Sequence, residues 1–156
     1  MKPSLHVVLV EPEIHWNTGN IGRTCLAAGA QLHLVEPLGF SIDDKAVRRA
    51  GLDYWHRVAP QIWPSWAAFE RVLPELGQPV VASPDGPKMY WEANFERPCV
   101  LIFGKESAGL SDSIRKNYAE CLVQIPIEDS QVRSINLSTC VGIVVYEAVR
   151  QRATSQ

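Results

Sequence analysis

The sequence predicts an α/β fold in which a mostly parallel sheet is flanked by helices. Short, near-continuous apolar runs alternate along the chain with longer segments of helical periodicity. Strands without a polar face are typical of sheets covered on both sides, and such sheets are mostly parallel. The chain has 156 residues, 46% of them hydrophobic, which is enough for one core. We therefore expect a single domain over residues 1–156.

The apolar runs predict the strands in chain order. They lie at residues 5–10, 31–36, 79–83, 99–103 and 121–125, with a further candidate at 57–62. Helices are predicted at residues 19–29, 43–50, 64–76, 111–118 and 136–151. The second of these has Ser41 or Asp43 as its cap and Gly51 as its stop. Residues 152–156 are expected to form a frayed tail.

The last predicted helix is apolar over most of its circumference. One broad face carries Leu137, Val141, Val144, Val145 and Ala148, and Cys140, Ile143 and Val149 flank it. Such a helix must be covered nearly all round, either by its own domain or by a second subunit as well. We favour a homodimer, with burial inside one domain as the alternative.

Composition excludes several kinds of partner. The net charge of -2 argues against binding nucleic acid by bulk positive charge, so an RNA partner needs a local basic patch. No apolar run is long enough to span a bilayer, so we expect a soluble protein and no membrane partner. The four cysteines are widely spaced, which favours reduced thiols in the cytoplasm. The four histidines lack ligand spacing, so no metal site is expected.

Three polar segments that follow apolar runs carry the candidate chemistry. They are residues 17–24 (NTGNIGRT), 103–110 (FGKESAGL) and 133–138 (RSINLS). Loops at the carboxyl ends of parallel strands converge on ligands. Taken singly, each segment can be only a turn, with Asn17 or Asn20 capping one helix and Ser134 or Asn136 capping another. The segments are therefore informative as a set.

Together and in this order, the segments resemble the three motifs of the SpoU/TrmH branch of the SPOUT methyltransferases. Those motifs read N-x-x-N-x-x-R, F-G-x-E-x-x-G-L and S-[ILM]-N-[LV]-S. Residues 36–40 (EPLGF), 43–45 (DDK) and 48–55 (RRAGLDYW) also look like the TrmL (YibK) subfamily. The resemblance spans residues 5 to about 150. It implies an S-adenosylmethionine-dependent enzyme that 2′-O-methylates the ribose of cytidine or uridine 34 of tRNA.

The same resemblance implies a fold and a set of site residues. Members form a deep trefoil knot near the C-terminus, and S-adenosylmethionine binds in it. By matching position, the cofactor contacts are Ala82, Gly104, Ile125 and Ser134. The catalytic and substrate positions are Asn17, Arg23, Glu106 and Asn136. No Gly-rich dinucleotide fingerprint follows the first strand, which agrees with a cofactor site of a different kind.

Arg23 is predicted to act as a clamp. An unperturbed arginine has a pKa of about 12.5 to 13.8, so using it as a base at pH 7 would cost roughly 7 to 9 kcal/mol. We therefore expect Arg23 to stabilise the developing alkoxide by hydrogen bonds, while a phosphate oxygen or water takes the proton. This hypothesis requires the guanidinium to face the crevice formed by Gly104, Ile125 and Ser134.

The tRNA anticodon stem-loop is the expected partner. Its binding is predicted from the residues Lys45, Arg48, Arg49, Trp55 and Tyr146. The alternatives for these positions are a solvated helix face for the cations and a core or interface role for Trp55. Two other functions stay open: an rRNA 2′-O-methyltransferase of the same branch, and a non-catalytic RNA-binding module with this fold.

Overall fold

One sheet organises the part of the chain that the structure describes. The structure is a computed structural model, and it describes residues 2–43, 45, 49, 54–95 and 98–155. The strands are β1 (Leu5–Val10), β2 (Gln31–Val35), β3 (Gln61–Trp63), β4 (Gln78–Ala82), β5 (Lys88–Met89), β6 (Cys99–Phe103) and β7 (Leu122–Gln124). The helices with defined bounds are α1 (His15–Ala28), α2 (Trp55–Val58), α3 (Trp66–Leu76), α4 (Asp112–Asn117) and α5 (Leu137–Thr154).

The strands pair in the order β3-β2-β1-β6-β4-β7-β5, and every pairing between these strands is parallel. The predicted α/β class with a mostly parallel sheet is therefore confirmed. Because the strands run the same way, the loops after β1, β4, β6 and β7 leave the sheet at one edge, where ligands bind in such folds.

Both faces of the sheet are covered, as the apolar runs predict. In β1, Val7 and Leu9 pack into a cluster that includes residues of α1, α2 and α5. The alternate residues Val8 and Val10 pack into a second cluster with residues of α3 and α4. This alternation follows from the period of two in a strand, and it leaves all six β1 residues buried.

The elements outside the central strands were predicted less well. The candidate strand at 57–62 is wrong in its first half, where Trp55–Val58 is a short helix, and the strand begins at Gln61. The two-residue strand Lys88–Met89 was not predicted, because it is too short to show a period. Most of the predicted helix 43–50 lies outside the described residues.

Residues 152–154 continue α5 and do not form the predicted frayed tail. Arg152 donates hydrogen bonds to the carbonyls of Ser4 (2.9 Å) and Phe95 (3.2 Å). The side chain of Gln151 also donates to the carbonyl of Ala93 (3.0 Å). The prediction for residues 152–154 is wrong because it considered only local sequence. These contacts join the helix to segments more than fifty residues away.

A buried relay of hydrogen bonds joins three strands. Trp63 Nε1–H donates to His33 Nδ1 at 3.0 Å, and His33 Nε2 lies 3.0 Å from His6 Nδ1. Because Trp63 can only donate, neutral His33 must carry its proton on Nε2 and donate it to His6. Burial lowers the pKa of His33 to about 4, with the nearby His6 adding to the effect. Burial likewise lowers the pKa of His6.

The four cysteines are unpaired, in agreement with the expectation of free thiols. Burial raises the pKa of Cys25 to about 12, and it also raises the pKa of Cys140. Among the described residues, no helix is long and apolar enough to cross a membrane. No group of three or more ligating side chains that could hold a metal ion occurs among these same residues.

Candidate active site

A cavity of about 790 Å³ lies at the carboxyl edge of the sheet. Its walls come from the end of β4 and the loop after it, from the loop after β6, and from the segment that joins β7 to α5. Asn17 and Ile14 add the start of α1 to one side. The volume and the mixture of apolar walls with a few polar groups are typical of a small-molecule site.

The loop after β6 is a tight turn built by two glycines. Gly109 N–H donates to the carbonyl of Lys105 at 2.9 Å, and Gly109 has a φ of +67°. A Cβ on Gly104 would lie 2.3 Å from the carbonyl carbon of Gly109, so the chain approaches itself too closely there for any side chain. This turn presents Glu106 toward the start of α1.

Glu106 binds the amino end of α1. Its carboxylate accepts hydrogen bonds from the backbone N–H groups of Glu13 and Ile14, both at 2.8 Å, and from Asn17 Nδ2 at 3.1 Å. Ile14 occupies the capping position of α1 and has no side-chain acceptor of its own. Glu106 therefore replaces a local cap, and its negative charge also suits the positive end of the helix.

A reciprocal contact strengthens the same junction. Glu13 Oε1 accepts hydrogen bonds from Ser107 Oγ (2.6 Å) and from Ser107 N–H (2.9 Å). These two bonds favour the charged carboxylate, so they lower the pKa of Glu13. The loop after β6 and the start of α1 thus each contribute a carboxylate that accepts hydrogen bonds from the other segment. Sequence reasoning missed Glu13 because it lies outside the three motifs.

Asn17 and Asn136 join this junction to α5. Asn136 Nδ2 donates to Asn17 Oδ1 at 3.1 Å. Asn136 Oδ1 caps α5 by accepting from the N–H of Ser138 at 2.9 Å. Because the Glu106 carboxylate can only accept, Asn17 must direct its Nδ2 toward Glu106 and its Oδ1 toward Asn136. Asn136 must then donate from its own Nδ2. The predicted capping role of Asn136 is confirmed, and three polar loops are held together by one chain of hydrogen bonds.

The four residues expected to contact a cofactor all line the cavity. They are Ala82, Gly104, Ile125 and Ser134, which come from the three separate loops at this edge. Charged residues that the sequence did not single out line it too. Arg115 binds Asp85 at 3.0 Å and also pairs with Asp112. A hydrogen bond from the Ser83 hydroxyl and the charge of Arg115 lower the pKa of Asp85.

Arg23 does not join the cluster formed by Asn17, Glu106 and Asn136. It is exposed, and it is not among the described residues that line the cavity. Its guanidinium carbon lies 5.5 Å from the centre of the Tyr54 ring. The expectation that Arg23 faces the crevice of Gly104, Ile125 and Ser134 is therefore wrong within a single chain. Helical geometry explains this, since six residues after Asn17 the chain has turned about 240° around the axis.

The expected RNA-binding residues divide into exposed and buried ones. Lys45, Arg49 and Tyr146 are exposed, and Arg48 lies outside the described residues. Trp55 is buried, with only 9% of its surface accessible. It packs so closely on α1 that a Cβ on Gly22 would lie 3.1 Å from its ring. The stacking role predicted for Trp55 is wrong, and the exposed aromatic neighbour is Tyr54.

The family follows from comparison with known proteins. The profile of the SpoU rRNA Methylase family matches residues 4–146. The chain belongs to this family. Each of the three motifs of this SpoU chain contributes at least one residue to the cavity wall.

Two similar proteins are named tRNA (cytidine(34)-2′-O)-methyltransferase. The protein from Acidovorax sp. (strain JS42) is 41% identical over 150 residues, which cover 95% of this chain and 92% of the relative. The protein from Burkholderia pseudomallei (strain 1106a) is 41% identical over 148 residues, with 94% of each chain covered.

Solved structures agree with the family. A structure concerned with 2-OH methylation of C/U34 on tRNA matches with a TM-score of 0.91 and 40% identity, covering 98% of this chain and 99% of that one. The SpoU methyltransferase AviRb from Streptomyces viridochromogenes in complex with AdoMet matches with a TM-score of 0.84 and 27% identity. That match covers 98% of this chain and 59% of AviRb.

Proposed function

We propose that this SpoU-family protein is a tRNA 2′-O-methyltransferase that transfers a methyl group from S-adenosylmethionine to the ribose of cytidine or uridine 34. The observation that carries the proposal is the chain of hydrogen bonds from Glu106 through Asn17 to Asn136 at the cavity wall. Sequence identity of about 40% to proteins named for methylation of nucleotide 34 supports tRNA over ribosomal RNA as the substrate.

The cavity suits a nucleoside-sized cofactor. The apolar side chains of Ala82 and Ile125 fit an adenine ring, and the backbone at Gly104 together with the Ser134 hydroxyl offers polar partners. We assign these four residues to the cofactor site. The bound cofactor supplies an electrophilic methyl group on a sulfonium, so the protein need not create the electrophile and has to align the attacking oxygen.

Asn17 and Asn136 are the residues best placed to align the ribose. Their amides lie on the cavity wall, and their orientations are determined by Glu106 on one side and by the start of α5 on the other. Polar groups held in advance lose little entropy when substrate binds. Glu106 acts in this scheme by positioning, because both of its carboxylate oxygens accept backbone N–H groups from the residues that lead into α1.

Arg23 takes part in the proposed reaction only if a second copy of the chain delivers it. We therefore propose a homodimer in which Arg23 of one protomer stabilises the alkoxide that develops in the cavity of its partner. Exposed apolar side chains on the two helices concerned support such an interface. Trp16 on α1 is 52% exposed and Tyr146 on α5 is 48% exposed.

Mixing two inactive variants tests the composite site. Arg23→Ala and Asn136→Ala homodimers should each lose most activity. After subunit exchange, a heterodimer regains one intact site if Arg23 acts across the interface, so about half of the wild-type activity per heterodimer should return. If Arg23 acts within its own chain, both sites of the heterodimer carry one lesion and no activity returns. Size-exclusion chromatography with light scattering verifies that dimers are present.

The tRNA face would combine the cavity with cations elsewhere on the chain. Lys45, Arg48 and Arg49 supply charge for phosphates in this proposal, and Tyr146 lies on α5 near the expected interface. Tyr54 replaces Trp55 as the stacking candidate, because Tyr54 is exposed. A tRNA substrate agrees with a cytoplasmic protein, which we include in the proposal.

A trefoil knot is also part of the proposal. Between β7 and α5 the chain passes from the β4 side of the sheet to α1, so it must cross the carboxyl ends of β4 and β6. The cofactor loops lie at this crossing. The backbone trace of a crystal structure tests whether the crossing segment passes through the loop before it. A knotted trace tightens when its two ends are pulled apart, and an unknotted trace straightens.

Mass mapping of tRNA nucleosides tests the function. Purified protein is incubated with methyl-labelled S-adenosylmethionine and, in separate reactions, with unmodified tRNA or with unmodified ribosomal RNA, and the digested product is sequenced by mass. Label on the ribose of nucleotide 34 is the expected result. Label in ribosomal RNA alone would support the rRNA enzyme instead, and cofactor binding without any label would point to a non-catalytic RNA-binding module. The Asn136→Ala variant serves as the negative control.

A further inference from the structure

Arg133 is a cation at the cavity wall whose charge is not neutralised by any described residue. It lies next to Ser134 and is exposed to solvent. The other two cations at the cavity have carboxylate partners. Lys105 Nζ lies 3.7 Å from Glu11, and Arg115 pairs with two aspartates. Within residues 2–43, 45, 49, 54–95 and 98–155, no ion pair or hydrogen bond occupies the Arg133 guanidinium.

The negative groups of the cavity are already occupied by donors. Glu106 accepts three hydrogen bonds at the start of α1, and Asp85 binds Arg115. In addition, the eighteen-residue helix α5 begins at this wall, so its positive end faces the same space. The local field at Arg133 therefore favours an anion, although the whole chain has a net charge of -2.

We infer that Arg133 binds an oxyanion in the cavity and so positions one of the two reactants. The inference rests on the proposed function, in which both reactants carry such a group. The methyl donor has a carboxylate, and the substrate ribose is flanked by phosphates. A guanidinium binds either group through two parallel hydrogen bonds, which a lysine ammonium cannot reproduce.

Binding measurements on Arg133→Gln test the inference. Calorimetry gives the dissociation constant for S-adenosylmethionine, and fluorescence anisotropy over a salt series gives that for tRNA. We expect one of the two to weaken about tenfold or more, since a hydrogen bond to a charged group has a typical free energy of 1.5 to 3 kcal/mol. Arg133→Lys should recover part of the loss. Arg71→Gln is the matched control, because Arg71 is exposed on α3 and does not line the cavity.

Each outcome has a definite meaning. Weaker cofactor binding with unchanged tRNA binding identifies the carboxylate as the ligand. Weaker tRNA binding with a salt slope reduced by about one identifies a phosphate. If both dissociation constants stay within twofold of wild type, the inference is overturned even when kcat falls, because the oxyanion is present in both ground-state complexes. If the wild type methylates tRNA and the Arg133→Gln variant matches it in both dissociation constants, only this inference is overturned. A wild type that binds neither ligand overturns the proposed function as well.

Discussion

At the scale of single residues, Glu106 joins the loop after β6 to the start of α1. Its carboxylate caps α1 from 92 and 93 positions away in the chain and also orients the Asn17 amide. A positioning residue of this kind should affect folding as well as catalysis. Its effect can therefore be separated from that of a group that only touches substrate.

We predict that Glu106→Gln lowers the free energy of unfolding by about 1 to 3 kcal/mol, because the new amide N–H₂ faces N–H donors that then lack an acceptor. Urea unfolding followed by tryptophan fluorescence measures the change. Glu13→Gln is the matched control. It keeps the single oxygen that Ser107 uses, so it should cost clearly less than Glu106→Gln. Equal stability of Glu106→Gln and wild type would contradict the capping role.

At the scale of elements, α5 connects the site to the far end of the sheet. Asn136 caps its start beside the cavity, and Arg152 binds the segments before β1 and β6 at its other end. The buried face between these ends carries Val141, Val144 and Val145. The helix therefore positions the Asn136 amide on a rigid support.

We predict that Arg152→Ala destabilises the protein by about 1 to 2 kcal/mol, because two backbone carbonyls lose a charged donor. Arg150→Ala is the matched control from the same turn. Arg150 pairs with Glu147 and its side chain is 61% exposed, so solvent screens the pair and its removal should cost much less than that of Arg152. Thermal unfolding by calorimetry compares the two. Equal losses in both variants would argue for a frayed end.

At the scale of the whole molecule, the buried histidines couple folding to pH. His33 is neutral in the folded chain near pH 6, because its pKa is lowered from 6.5 to about 4 by burial and by His6. The unfolded chain binds a proton on His33 in the range between these values, whereas the folded chain does not. Stability is therefore fully present above pH 6.5 and decreases as the pH falls toward 4.

We predict that the free energy of unfolding falls by up to about 3 kcal/mol from pH 7 to pH 4 through His33. The lowered pKa of His6 acts in the same direction. Urea unfolding at several pH values measures the slope. His33→Gln should flatten it, since a glutamine amide can accept from Trp63 and donate to His6. His56→Gln, at an exposed position, should keep it. Identical slopes in wild type and His33→Gln would refute the assignment.

The central strands, the start of α1 and Trp55 show how far sequence reasoning reaches. A strand buried on both faces is continuously apolar, so β1 and β6 were predicted with the bounds that the structure has. The start of α1 was predicted four residues late, at 19, because its cap is Glu106 and not a neighbouring Asn. Trp55 was misplaced for a similar reason. An aromatic residue that lies close to cations in the sequence is equally compatible with a surface position and with a core position.

The sequence by itself determined the α/β class, the positions of the main strands along the chain and the three polar segments whose motifs identify the SpoU family. These features depend on local period and on short spacings, which a linear chain records directly. Only the tertiary structure decided that Asn17, Glu106 and Asn136 form one chain of hydrogen bonds, that Arg23 lies outside the cavity of its own chain, and that Arg133 lies at the cavity wall. Such facts depend on distances between residues far apart in sequence, and these are determined by how the helices and loops pack on the sheet.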